Sequence, residues 1–368
     1  DNKEEEEKEK SQKKKKRKDA TDEDENISAG KSESPKKLES YSQYDFVAGD
    51  KLLYFEDFSQ DAIGDFPDFW TSNSGGEVKT VNIAAGHWFH MNGTDAAYCY
   101  TKSITFPENF IIEFDIIPDA EFTYGLQFTL YHDNPDEPKD LNDDLYPGTE
   151  GLHVRLTKDS WETKGYKDNF DWITGKSVKE PVIQEQVNHV IIWLQKRRVR
   201  FYHQGMKVLD IPTNIHEGVV FNRFRFDTWD SYSFPFITNL KMTTASPDTR
   251  NKLITEGKLI TYGITFDTNK ADIKNESYAT LKSIADVLKE NADVKVKIVG
   301  HTDGDGDNAS NLDLSNRRSA SVKSELVKNF GIDASRIVTE GAGESNPIVP
   351  NDTPTNKAQN RRVEFIKL

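Results

Sequence analysis

The sequence predicts a multidomain protein in which an all-β sandwich is followed by a smaller α+β domain. Three observations lead to this prediction. Charged residues dominate the first 45 positions, short alternating runs follow, and helical spacing of apolar residues enters only near the C-terminus. We assign residues 1–45 to a disordered charged tail, 46–245 to the sandwich, 246–257 to a linker and 258–368 to the α+β domain. A chain of 368 residues has room for these parts.

The N-terminal tail is predicted to be disordered. Residues 1–45 hold 12 Lys and Arg and 14 Asp and Glu, and few apolar side chains stand between them. Such a segment cannot bury enough apolar surface to offset the entropy of ordering its backbone. Its basic run, Lys13–Lys18, has two interpretations: a solvated tether, which we prefer, or a nuclear-import or nucleic-acid patch.

The composition excludes several classes of protein. The formal net charge of −14 argues against nucleic acid as the main partner. No run approaches the ~18–20 apolar residues of a membrane-spanning helix, so we expect no transmembrane segment. A single cysteine, Cys99, excludes an internal disulfide and any zinc site built from several cysteines. We expect no cofactor.

The runs after residue 46 have the spacing of β-strands. Arginine and aspartate fill the alternate positions 223, 225 and 227, with Phe224 and Phe226 between them. Turn residues such as Asn92–Gly93 and Pro147–Gly148 separate the runs. Many short strands with regular turns favour an antiparallel sandwich. The main predicted strands are Lys51–Phe58, Phe110–Ile117, Tyr124–His132, Gly151–Thr157, Val187–Gln195, Val199–Tyr202 and Phe221–Thr228.

The C-terminal part mixes helices with strands. Leu281, Ile284, Ala285 and Leu288 recur at helical spacing, which predicts a helix over Ser277–Asn291. A second helical stripe runs from Leu314 to Phe330 and stops at Gly331. Strands are predicted at Ile260–Phe266, Val294–Ile298, Arg336–Glu340 and Arg361–Leu368.

One segment of the α+β domain carries a candidate binding site. Residues 300–306 (GHTDGDG) join the end of a buried strand to a helix, where free backbone N–H groups favour an anion. Asp303 lies at the strand end, and we place Arg318 about one turn into the helix, on its apolar stripe. A carboxylate and a guanidinium at this junction suit a zwitterion, whose ammonium would bind Asp303 and whose carboxylate would bind Arg318. The alternative is an internal Asp303–Arg318 salt bridge.

The motifs of this region resemble the OmpA-like peptidoglycan-binding domain over about residues 250–368. The motifs that carry the resemblance are Phe266–Asn269, Gly300–Asp303, Leu314-Ser315-x-x-Arg318, Gly341-x-Gly343-Glu344-Ser345-x-Pro347 and Asn360–Glu364. The resemblance implies a β/α/β/α/β fold that binds the diaminopimelate of the peptidoglycan stem peptide non-covalently. It assigns the principal contacts to Asp303 and Arg318. The supporting residues are Asn269, Thr302, Asn311 and Arg361. Ser319 stands where this family usually has alanine.

Three other patterns in this domain have a simpler interpretation. The run Asp303-x-Asp305-x-Asp307 lacks the Gly and Glu of an EF-hand loop. Gly341-Ala342-Gly343 lacks the third glycine and the crossover of a dinucleotide site. His301 has no nucleophile motif beside it, so a structural histidine is preferred. We therefore expect neither a metal site nor a catalytic residue here.

The sandwich looks like a concanavalin-like or laminin-G-like jelly roll over about residues 50–244, and this likeness implies binding of a glycan or of an envelope protein. Some relatives hydrolyse β-glucans with a Glu-x-Asp-x-x-Glu strand, and Glu113-Phe114-Asp115 begins that pattern, but the second glutamate is missing. The acidic run Asp133–Asp144 is a solvated loop or a calcium loop, and the first interpretation is preferred. Four tryptophans are core residues or a sugar platform, with core preferred: Trp88, Trp161, Trp172 and Trp229.

These predictions describe a non-catalytic protein of the bacterial cell envelope. We expect it in the periplasm, associated with the outer membrane and the peptidoglycan, which is its predicted partner. A wall-anchored carbohydrate-active enzyme is the alternative function.

Overall fold

Two antiparallel sheets form the N-terminal part of the chain, and a third, mixed sheet forms the C-terminal part. The structure is a computed structural model that describes residues 47–133, 146–228, 233–245 and 248–368. The predictions for the tail, for Asp133–Asp144 beyond Asp133 and for Trp229 lie outside the described residues.

Among the described residues, fifteen strands build the two sheets of the sandwich. They are β1 (Ala48–Glu56), β2 (Trp70–Ser72), β3 (Glu77–Lys79), β4 (Trp88–His90), β5 (Ala96–Tyr100), β6 (Asn109–Ile117), β7 (Leu126–Tyr131), β8 (Glu150–Leu156), β9 (Trp161–Lys167), β10 (Ile173–Ser177), β11 (Asn188–Gln195), β12 (Arg198–His203), β13 (Met206–Ile211), β14 (Arg223–Thr228) and β15 (Phe236–Ala245). The first sheet has the order β13-β12-β11-β6-β15-β4-β3, with β1 also paired to β15. The second has the order β10-β9-β8-β7-β14-β5-β2.

The core of the sandwich lies between the two sheets and is rich in aromatic rings. Phe114 of β6 meets Phe226 of β14 edge-to-face at 5.6 Å, and Phe128 of β7 packs 5.0 Å from the same ring. On β14 the predicted alternation is confirmed, since Phe224 and Phe226 are fully buried in this core. The intervening Arg225 and Asp227 point to the other face, where they form a buried ion pair of 2.9 Å.

The C-terminal domain surrounds a four-stranded sheet of order β16-β19-β17-β18, in which only β17 and β18 are parallel. Its elements are β16 (Lys258–Thr261), α1 (Tyr278–Glu290), β17 (Val296–His301), α2 (Asn308–Lys328), β18 (Ile337–Gly343), α3 (Pro354–Asn360) and β19 (Val363–Lys367). The two predicted helices and the mixed α+β class are confirmed. A π-helix, Asn251–Thr255, lies in the segment predicted as the linker and buries Leu253.

A strand end and a short helix of the C-terminal domain differ from the sequence-based prediction. The strand expected over Ile260–Phe266 ends at Thr261, because the partner strand β19 begins at Val363, opposite Thr261. The short helix α3 was not expected from periodicity. Its start nevertheless carries a signal, since Thr353 caps the helix by accepting a hydrogen bond from Asn356 N and Pro354 occupies the first turn.

The C-terminal domain packs against the outer face of the eight-stranded sheet. Ile111 and Ile191 of that face cluster with Ala279 of α1. At the edge of the sheet, Leu52 of β1 packs with Tyr262 and Ala358. These apolar contacts remove from water a sheet face that would otherwise expose large side chains.

Charged groups on the same covered face are paired with one another. Asp115 Oδ1 lies 2.7 Å from His189 Nδ1, and Glu113 Oε1 lies 2.8 Å from Lys241 Nζ. Lys241 also donates to the carbonyl oxygen of Tyr262 in the C-terminal domain. Burial alone would lower the pKa of His189, but the hydrogen bond and charge of Asp115 outweigh it and raise that pKa.

Among the helices in the described part of the chain, none combines the length and the apolarity needed to cross a bilayer.

Glu364 of β19 offers a test of the electrostatics in the C-terminal sheet. Its carboxylate is almost fully buried and contacts Arg362 Nε and Lys258 Nζ, each at 2.8 Å. Burial would raise the pKa of Glu364, but His301, Lys258 and Arg362 hold it far below the usual 4.5. We expect Glu364→Gln to lower the free energy of unfolding at pH 7 by about 3 kcal/mol, because it leaves Arg362 buried and unpaired.

The pH dependence of that loss follows from the depressed pKa. The stabilisation is present above pH 4.5 and disappears as the pH falls toward the folded-state pKa, so the difference between wild type and variant shrinks under acid. Urea unfolding followed by circular dichroism between pH 3 and 8 measures it. Glu340→Gln is the control, because Glu340 is half-exposed and its pair with Lys297 is a surface contact. A difference that stays constant with pH would contradict the assignment.

Candidate functional site

The candidate site lies where β17 ends and α2 begins, and small residues allow the helix to approach the sheet there. A Cβ on Gly300 would stand 2.5 Å from the carbonyl oxygen of Ser315, so only glycine fits at this crossing. The Ser315 hydroxyl accepts a hydrogen bond from Gly343 N and donates to Leu312 O. The motif residues Gly300, Ser315 and Gly343 therefore fix the helix on the parallel pair β17–β18.

Helix α2 starts earlier than the sequence indicated. Asp307 is its N-cap and accepts a hydrogen bond from Ser310 N at 3.0 Å. Arg318 therefore lies almost three turns into the helix, and the expectation of one turn was wrong. The apolar stripe begins only at Leu314, so the polar first turns of the helix gave no periodic signal.

Asp303 is buried and pairs with an arginine other than the expected one. Its Oδ2 accepts a hydrogen bond from Arg361 Nη1 at 2.5 Å, and its Oδ1 accepts one from Asp305 N at 3.2 Å. Arg361 is the residue that follows α3, which brings the end of that helix to the strand end that bears Asp303. The internal salt bridge at this site is thus Asp303–Arg361.

Arg318 is half-buried and is held by backbone carbonyls. Its Nε donates to Lys270 O at 3.0 Å and its Nη2 donates to Asp267 O at 3.3 Å, while the guanidinium lies 5.0 Å from the ring centre of Phe266. Burial and the positive charge of Arg361 lower its pKa to about 10, and the charge of Asp303 opposes that shift. The charges of Arg361 and Asp303 therefore both act on the guanidinium of Arg318.

The supporting residues occupy different positions around this centre. Asn311 donates to Asp305 O at 2.9 Å and to Glu344 Oε2 at 2.5 Å. Thr302 is buried, and its hydroxyl has no hydrogen-bond partner among the described residues. Asn269 is exposed, with a positive φ of 59°, in the turn whose carbonyls bind Arg318. Asn269 is linked to the site through this turn, because the carbonyl oxygens of Asp267 and Lys270 accept hydrogen bonds from Arg318.

Sequence reasoning missed three contributors to the site. Glu344 belongs to the Gly341–Pro347 motif but was not assigned a role, and Phe266 likewise lies in a quoted motif. Asp305 pairs with Lys357 of α3 at 2.8 Å, which anchors the loop beside Asp303. The spacing of these residues along the chain carries no signal for such contacts, because they depend on how α2 and α3 pack in the folded domain.

The acidic run around Asp303 is occupied by protein partners. Asp303 binds Arg361, Asp305 binds Lys357, and Asp307 caps α2. Across the described ranges, no group of three or more His, Cys, Asp or Glu side chains is placed to hold a metal ion. His301 is buried, with Nε2 3.6 Å from Glu364 Oε1.

The tryptophans of the sandwich divide between core and surface. Trp88 and Trp161 are buried in the fold. Trp172 is 55% exposed, stacks on Tyr146 at 5.6 Å between ring centres, and has Lys164 Nζ 3.9 Å from its ring centre.

The C-terminal residues resemble known proteins. Residues 265–361 match the model of the OmpA family. The chain is 46% identical over 102 residues to the probable lipoprotein YiaD of Escherichia coli, covering 28% of this chain and 46% of that protein. It is 39% identical over 103 residues to the peptidoglycan-binding protein ArfA of Mycobacterium bovis, covering 28% and 31%. The chain thus spans less than half the length of these curated relatives.

A solved structure is also similar to part of the chain. The peptidoglycan-associated lipoprotein of Burkholderia pseudomallei aligns with 22% identity and a TM-score of 0.29, covering 33% of this chain and all of that one. The family match includes Asp303, Arg318 and the other four candidate residues. Residues 265–361 therefore form an OmpA family domain, and the β-sandwich lies outside the matched residues.

Proposed function

We propose that this chain is a non-catalytic protein of the cell envelope that binds peptidoglycan through the diaminopimelate of its stem peptide. The OmpA family domain supports peptidoglycan binding, and ArfA, one of its relatives, is named for that property. The observation that carries the finer proposal is the placement of one buried carboxylate, Asp303, beside two arginines, Arg318 and Arg361.

This charge arrangement complements the end of a diaminopimelate side chain. That group is a zwitterion, with an ammonium and a carboxylate on the same carbon. Asp303 would accept the ammonium, and the free N–H groups of Arg318 and Arg361 would donate to the carboxylate. The unpartnered hydroxyl of Thr302 supports the proposal, because a bound ligand would supply the hydrogen bond that this buried group lacks.

The chain is proposed to be non-catalytic in its sandwich as well. The strand that begins a glucanase-like pattern carries Glu113 and Asp115, whose side chains do share one face. That face is covered by the C-terminal domain, and the two carboxylates are bound to Lys241 and His189. A general acid and a nucleophile need access to a substrate, which these side chains do not have.

For the sandwich we propose glycan binding on a jelly-roll framework, and the exposed Trp172 favours it. An indole that is 55% exposed beside Tyr146 and Lys164 offers an aromatic surface together with hydrogen-bond donors. The predicted location is the periplasm, where both a glycan and the stem peptide are within reach of one chain.

Substitution of the two principal residues tests peptidoglycan binding. We expect Asp303→Asn and Arg318→Ala each to abolish co-sedimentation with purified peptidoglycan sacculi, because each removes one of the two charges that the zwitterion needs. Far-UV circular dichroism is expected to be unchanged.

Neighbouring residues of α2 provide matched controls. Asp313 and Arg317 pair with each other on the exposed side of the helix, at 2.7 Å. Asp313→Asn and Arg317→Ala make the same chemical changes outside the site and are expected to pellet like wild type. Normal pelleting of both Asp303→Asn and Arg318→Ala would overturn the proposal.

The sandwich proposal has its own test. We expect Trp172→Ala to lose roughly 1–3 kcal/mol of any glycan affinity found on a glycan array, as removal of a large aromatic contact from a binding surface does. Phe69→Ala is the control, since Phe69 is equally exposed and has Lys102 over its ring. An array on which wild type binds no glycan, or binding unaffected by Trp172→Ala, would contradict the assignment.

A further inference from the structure

An aromatic side chain of the sandwich contacts the proposed peptidoglycan site. Phe55 lies on β1, and its ring centre is 4.8 Å from Cζ of Arg361. The same guanidinium donates to Asp303. Arg361 is therefore held on one side by the carboxylate of the site and on the other by a ring that comes from a different domain.

The backbone of Phe55 is fixed to the C-terminal domain by one hydroxyl. Thr355 Oγ1, in the first turn of α3, accepts a hydrogen bond from Phe55 N at 3.0 Å and donates one to Phe55 O at 3.1 Å. Next to it, Leu52, Tyr262 and Ala358 form an apolar cluster that Phe55 joins. The Thr355 hydroxyl and this apolar cluster thus place the ring of Phe55. Both include residues of α3, the helix that Arg361 follows.

The orientation of Arg361 matters because its guanidinium contacts Asp303 and, in the proposed function, also donates to the ligand carboxylate. Its side chain is 31% exposed, and a long side chain with that exposure has other rotamers available in solvent. The face of an aromatic ring attracts a guanidinium and favours one orientation of its plane. With that plane fixed, one amino group donates to Asp303, and the remaining N–H groups would be available to a ligand carboxylate.

We propose that Phe55 is a positioning residue for peptidoglycan binding, so that the sandwich completes the diaminopimelate site of the C-terminal domain. This inference rests on the proposed function, because it assigns to that site a residue from the other domain. Phe55 acts through Arg361 and has no role in contacting the ligand.

The test is a titration of the full chain with meso-diaminopimelate by isothermal calorimetry. We expect Phe55→Leu to weaken binding roughly three- to tenfold, because leucine fills the apolar cluster without attracting the guanidinium. Phe55→Tyr, which retains a ring, is expected to stay within about twofold of wild type. Phe55→Met serves as a second apolar replacement should Phe55→Leu lower the melting temperature.

Two further measurements separate positioning from a general loss of packing. Leu52→Ala removes an apolar contact of the same interface without touching Arg361, and is expected to bind like wild type. In the Arg361→Gln background, Phe55→Leu is expected to cause no additional loss, since its effect runs through that arginine.

The outcomes distinguish this inference from the proposed function. If the wild-type chain binds neither meso-diaminopimelate nor sacculi, the proposed function is contradicted, and this inference falls with it. A wild type that binds, with Phe55→Leu binding equally well, would overturn the positioning role alone. Equal losses in Phe55→Leu, Phe55→Tyr and Leu52→Ala would also overturn it, because they would assign the effect to packing.

Discussion

The ion pair between Asp303 and Arg361 connects two parts of the C-terminal domain, and the neighbouring pair of Asp305 with Lys357 reinforces that connection. The Asp303–Arg361 pair joins the end of β17 to the residue after α3, and Phe55 extends that connection to β1 of the sandwich. A carboxylate as buried as Asp303 requires a partner, because an unpaired charge there would be strongly destabilising. The requirement fixes how α3 folds back, and with it the positions of Lys357 and Thr355.

The need to pair every buried charge also explains how the C-terminal domain can cover the outer face of the eight-stranded sheet. That face carries Glu113, Asp115, His189 and Lys241, four ionisable residues that a docking surface would normally avoid. These groups are paired within the face, since Glu113 contacts Lys241 and both carboxylates contact His189. The apolar residues between them then supply the burial. A pattern that resembles the start of a glucanase strand serves here as part of an interface.

The sequence carried most of the fold and only part of the site. Helix α1 and the predicted strands of the sandwich, such as β6 and β14, follow from the pattern of apolar residues, whereas short strands such as β2, β3 and β4 were not predicted. The start of α2 was not predicted either, because its first two turns are polar and only the cap at Asp307 marks them. The pairing of Asp303 with Arg361 could not be predicted for another reason. Arg318 and Arg361 both lie in motifs of the OmpA-like resemblance, and only the fold decides which of them reaches the carboxylate. The contact of Phe55 spans about 300 positions, which no local pattern encodes.

The distribution of charge gives a reason for the site to be built from two domains. Of the net charge of −14, the first 45 residues contribute −2, so the rest of the chain carries −12. A field of that sign does not favour approach to an anionic wall, and at physiological ionic strength it is screened within about 8 Å. For the proposed binding to peptidoglycan, attraction must then come from the immediate neighbourhood of Asp303, where the guanidiniums of Arg318 and Arg361 lie. Burial is the main cause of the lowered pKa of Arg318, and repulsion by the like charge of Arg361 adds to it. The two guanidiniums need separate supports, which the carbonyls of the 267–270 turn provide for one and the ring of Phe55 provides for the other. The proposed contribution of the sandwich to peptidoglycan binding is thus to hold the charge of Arg361 in place.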